Sequence, residues 1–184
     1  MKRAFFAFVW LCAAGMLGAQ EGGLTPVWDI GAVLKEIGAH AGRLVPLLDQ
    51  ADPSGWILKG APEAYVAQWK SCKEQAAALA GDAAALAKSP ETLPGALKVF
   101  FRMQSLEFSL NSLGAGIRRY QNPALADLLA SVAAENGANR ERFQRYIVDL
   151  AAQREEEYRI MDHEAQRCRA QLSRQPSQNK NGRK

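Results

Sequence analysis

The chain holds only two histidines, His40 and His163, among its 184 residues, and that scarcity closes several routes at once. Di-iron bundles place Glu-x-x-His pairs on facing helices, but the residues three before these histidines are Ile37 and Ile160. Covalent haem attachment needs Cys-x-x-Cys-His, which is also absent. His163 has Arg159 and Arg167 one turn away on either side, a poor setting for a second cation. His40 follows Glu36 by one turn, which reads as a solvated ion pair or as two ligands of a metal site. No third ligand stands nearby. The expectation is therefore no metal and no cofactor.

Other chemistries are missing in the same way. No serine sits in a Gly-x-Ser-x-Gly elbow. There is no phosphate-binding loop and no dinucleotide fingerprint. Cys168 follows His163 by five residues, more than one helical turn, so that pair does not make a thiol nucleophile and its base. No catalytic residue is assigned. β-Branched residues are sparse and no segment alternates polar and apolar with a period of two, which argues against a sheet.

One long apolar run is present, and it stands at the start. Lys2 and Arg3 precede thirteen apolar residues, Phe5 to Leu17, followed by the small pair Gly18-Ala19. This is the layout of a cleaved secretory leader over residues 1–19. The run from Ala4 to Ala19 is sixteen residues, short of the roughly 18–20 that span a bilayer, so a retained anchor is the weaker reading. Leu11 before Cys12 is too large for lipoprotein processing. The expected destination is the periplasm or the medium, with no stable membrane anchor.

Removal of Lys2 and Arg3 lowers the net charge from +4 to about +2. The remaining excess gathers in residues 175–184 and just before them, at Arg174, Lys180, Arg183 and Lys184. A basic end of this kind reads as a solvated, disordered tail. A nucleic-acid footprint would instead cluster basic residues on a folded face. Two cysteines outlast the leader, Cys72 and Cys168. In an oxidising compartment an even count suggests one disulfide, worth about 4–5 kcal/mol for a loop this long. Two free thiols on apolar stripes are the alternative.

Residues 20–174 read as one helical domain, rich in Ala, Leu, Gln, Glu and Arg, with apolar residues spaced by three and four. A first helix starts at Thr25-Pro26 and carries Val27, Ile30, Leu34, Ile37, Ala41, Leu44 and Leu48, with Pro46 inside it expected to kink it against Gly42. Asp52-Pro53-Ser54-Gly55 reads as a turn. A second helix starts near Pro62 and presents Tyr65, Trp69, Cys72, Ala76, Leu79, Ala83 and Leu86. A third starts at Thr92 to Pro94, with a stripe from Val99 to Ile117 that Phe100, Phe101 and Phe108 widen, so it is expected to be the most buried. Asn122-Pro123 opens a short helix that Asn136-Gly137 ends. The last helix spans about Asn139 to Ser173 with the stripe Phe143, Ile147, Leu150, Arg154, Glu157, Met161, Ala165, Cys168 and Leu172.

Short connections between such helices predict an antiparallel four-helix bundle, with an additional short helix before a long C-terminal one. Three places could face a ligand or partner. Arg154 and Glu157 interrupt an apolar seam, either as a wet pair beyond the bundle or as a charged lining of a pocket between helices. Trp56, with Ile57 and Leu58, either plugs the end of the bundle or forms an exposed contact patch. The mixed charge of the last helix suits a protein partner or self-association. The expected role is binding or structural and without catalysis, with a small exported enzyme or ligand carrier as the alternative.

Overall fold

A computed structural model describes residues 27–174, with side chains described from Ile30 onward. The expected leader and basic tail lie outside the described residues. Six helices follow one another: α1 (Val27–Leu48), α2 (Pro53–Ile57), α3 (Ala64–Leu86), α4 (Leu93–Tyr120), α5 (Pro123–Ala134) and α6 (Gly137–Arg174). The described residues form an all-α bundle of packed helices without strands.

The helix boundaries follow local chemistry. Thr92 and Asn122 sit in extended backbone ahead of prolines in the first turns of α4 and α5, and the Asn122 side chain accepts from Ala124 N at 2.9 Å. The expected turn at Asp52 is in fact the N-cap of α2, its carboxylate accepting from Gly55 N at 3.0 Å. Proline at the first helical position turns a tight corner into one helical turn. Gly60, at φ 83°, supplies the left-handed step between α2 and α3.

The sheltered stripes are the ones spaced by three and four. Ile30, Leu34, Ile37, Ala41, Leu44 and Leu48 of α1 face Cys72, Ala76, Leu79, Ala83 and Leu86 of α3 across the core. Alanines on α3 let α1 come close, with Gly38 against Ala80 and Ala83. On α4, Val99, Met103, Leu106, Leu110, Leu113 and Ile117 are buried.

The bundle has four columns, and the fourth is split. α5 and the first half of α6 lie end to end, both packed on α1 and α4. His40, midway along α1, reaches the end of α5. Tyr146 and Arg154 of α6 reach the α3–α4 turn at the bundle's lower end, donating to Pro90 O at 2.9 Å and Glu91 O at 3.0 Å. The short helix is thus the upper half of the fourth column rather than an extra element beside it.

Two expectations are corrected here. Cys72 is buried in α3, whereas Cys168 is exposed on the distal part of α6, and both are free, so no bridge joins them. An apolar stripe position does not place two cysteines at the same level of a bundle. Nor do Phe101 and Phe108 widen the buried stripe of α4: both are exposed, because the helices that cover α4 leave that face open, and only Phe100 packs partly against the core.

Candidate functional site

From Ala152 to Arg174 every residue of α6 except the partly buried Glu157 is exposed. The helix passes the lower end of the bundle and continues for roughly 30 Å as an arm at 1.5 Å per residue. Its stability is local. Arg154 pairs with Glu157 at 2.7 Å and Arg167 with Glu164 at 3.1 Å, each three residues apart. The Arg159 fork grips Glu156 at 2.9 and 2.8 Å, and these hydrogen bonds hold the Glu156 carboxyl below its ordinary range. The apolar stripe does not stop where the bundle stops. Phe143, Ile147 and Leu150 are buried against the bundle, whereas Tyr158, Met161 and Leu172 on the continuing stripe are more than half exposed. The arm therefore carries an amphipathic face that no other described residue covers.

The second feature is a cavity of about 250 Å³ at the joint of the split column. Its apolar lining comes from Leu44 of α1, Leu79 of α3, and Met103, Leu106 and Leu110 of α4. Its polar lining is His40, Glu107, Asn136 and Arg140. Ending α5 and restarting the chain as α6 leaves this space, because two helix ends fill a column less well than one continuous helix. His40 is 5% exposed, and its Nε2 lies 2.6 Å from Val132 O. A carbonyl can only accept, so Nε2 carries the proton and satisfies an end carbonyl of α5. Arg43, one turn on, pairs with Glu135 at 2.7 Å, so both α1 side chains clamp the same helix end. His40 is accordingly not a solvated partner of Glu36. Among the described residues no group of three or more His, Cys, Asp or Glu could hold a metal ion.

Across the cavity Arg140 pairs with Glu107. Asn136 O accepts from Arg140 N at 3.0 Å, which makes Asn136 the N-cap of α6. Its side chain does not complete the cap: Oδ1 is buried with no hydrogen-bond partner among the described residues. A buried acceptor without a donor is costly, so this atom favours an incoming N–H or O–H group. The lining holds no serine, threonine, cysteine or lysine, and its carboxylate is committed to an arginine. It can receive a small apolar body with a donor head.

The residues singled out in the sequence are not brought together. Arg154 and Glu157 form an exposed pair at the root of the arm, well outside the cavity they were expected to line if buried. Trp56 is 1% exposed, stacked on Tyr120 and edge to face with Tyr65, so it plugs the upper end of the bundle and offers no surface to a partner. Leu58 beside it is exposed. No sequence signal marked Asn136 beyond its helix-ending role, nor Gln121, which ties the plug in place. Among the described residues no helix is long and apolar enough to cross a membrane. No family model, curated protein or solved structure matches the chain.

Proposed function

We propose that this protein is an exported, non-catalytic interaction protein: a rigid helical bundle that holds out an amphipathic helical arm for docking. The observation that carries the reading is the uncovered apolar stripe of α6 from Tyr158 to Leu172. A solvated helix does not need such a stripe, and one that continues a buried seam fits a helix-to-helix contact. Export rests on the leader-like first nineteen residues. Intact mass of secreted protein should place the new N-terminus near Gln20, and a secreted chain that keeps Met1 would remove that part.

The docking role is tested by ending the chain after Gln153. The exposed arm contributes little to the core, so the shortened bundle should melt within about 2 °C of the intact protein, and associations of the intact protein should disappear. A large drop in melting temperature with unchanged association would show that the arm supports the bundle instead.

The orphan Asn136 Oδ1 favours a second reading, a carrier of small ligands. Small alcohols or amides with an apolar body would raise the melting temperature with dose, and Asn136→Leu would abolish the rise.

A further inference from the structure

The arm's apolar positions are Tyr158, Met161, Ala165, Cys168 and Leu172. Their spacings alternate three and four, which is the a/d seam of a coiled coil. No charged residue occupies the seam over this stretch. The ion-paired Glu156, Arg159 and Arg167 lie off it, on the outer faces. Taking the arm as a docking element, we infer that its partner is the arm of a second copy of this chain, paired antiparallel.

The orientation follows from the bundle. The seam of the arm continues the face whose earlier residues, Phe143, Ile147 and Leu150, are buried against the bundle. A parallel, in-register partner would have to lie along that same face and bring its own bundle into the space held by α1 and α4. An antiparallel partner enters from the free tip and leaves the two bundles at opposite ends.

The register follows from charge. In antiparallel pairs, residues flanking the seam on the same side meet each other. With Met161 against the partner's Leu172 and Ala165 against the partner's Cys168, Asp162 meets the partner's Arg169 twice by symmetry. Glu164 then meets the partner's Gln171. Sliding one heptad deeper sets Asp162 against the partner's Asp162 and Glu164 against the partner's Glu164 on the symmetry axis. Sliding one heptad outward gives up most of the seam. The favoured register leaves roughly 45 Å between the bundle ends at 1.5 Å per residue, so nothing collides. The overlap is short, so the dimer is weak and dependent on concentration.

Sedimentation of the reduced protein over a range of concentrations should show a monomer–dimer equilibrium. Asp162→Arg should weaken it about tenfold by setting arginine against arginine, and adding Arg169→Asp should restore it. A parallel pair would respond in the opposite sense, because position 162 would then meet the partner's Glu157 and Asp162→Arg would tighten it. Ala165→Cys under mild oxidation should cross-link to the partner's Cys168, as mapped by peptide mass. A protein monomeric up to millimolar concentration overturns the inference. Cross-links between like positions, 165 to 165 and 168 to 168, overturn the antiparallel pairing while leaving the arm a docking element. The truncation after Gln153 tests that docking role separately.

Discussion

Replacing Gln121 by alanine removes one exposed side chain, yet it should cost about as much as truncating a buried side chain of similar size. Gln121 caps the C-terminus of α4, and its amide joins three pieces of chain. Oε1 accepts from Asp52 N at 2.9 Å and from Trp56 Nε1 at 3.0 Å, while Nε2 donates to Gln50 O at 2.7 Å. The two N–H donors and one carbonyl acceptor leave a single consistent amide orientation. Asp52 and Gln50 are exposed, so their backbone groups turn to water at about 0.5–1 kcal/mol each. The Trp56 indole is 1% exposed and stays dry, so its orphaned N–H costs about 1–3 kcal/mol. The sum is about 2–5 kcal/mol, or a fall of roughly 4–20 °C in melting temperature for a domain of this size. Urea unfolding followed by tryptophan fluorescence reads the loss as a lower midpoint with unchanged slope. Trp56→Phe removes the same donor, so the double variant should be less destabilised than the two single losses added together. A Gln121→Ala protein within 0.5 kcal/mol of the parent would refute this account of the plug.

Gly116→Ala should destabilise the protein by about 1–2 kcal/mol in the same urea assay, because packing strain outweighs the gain in helix propensity. A Cβ there would sit 2.6 Å from Tyr65 Cε1 and 3.1 Å from Trp56 Cζ3, in two rings that already pack edge to face against each other. Native protein at pH 8 should lose the Cys168 thiol quickly to an alkylating reagent and keep Cys72, as read by peptide mass, since burial pushes the Cys72 thiol up to about 11. Hydrogen bonding from Lys98, followed by the charge and hydrogen bond of Arg102, holds the Asp82 carboxyl below its ordinary range. Its folded value is lowered, so the stability it contributes is present above about pH 4 and fades as pH falls through the lowered value. Asp82→Asn should therefore be less stable than the parent at pH 6, and the difference should shrink toward pH 2.

Helix order and most helix boundaries were legible in the sequence, since spacing of apolar residues and proline or asparagine at helix starts are local properties of the chain. The expected third helix from Thr92 to Pro94 appears as Leu93–Tyr120, and the last, from about Asn139, as Gly137–Arg174. The same local pattern misled at Phe101, Phe108 and Cys168. An apolar side chain on a stripe records that a contact is available, and only the neighbouring helices decide whether anything fills it. Trp56 shows the converse, a residue with two plausible roles whose burial was set by Tyr65, Tyr120 and Gln121 from distant parts of the chain.

The candidate sites divide along the same line. Periodicity alone determined that the last helix is amphipathic to its end, because every turn of an α-helix repeats the same geometry whatever surrounds it. Where that helix leaves the bundle was decided by the tertiary structure. α5 takes the upper half of the fourth column, so α6 starts halfway down and runs out of neighbours just beyond Arg154. The cavity beside Asn136 has the same origin: it exists only because two helix ends, far from His40 and Met103 in sequence, meet in space beside them.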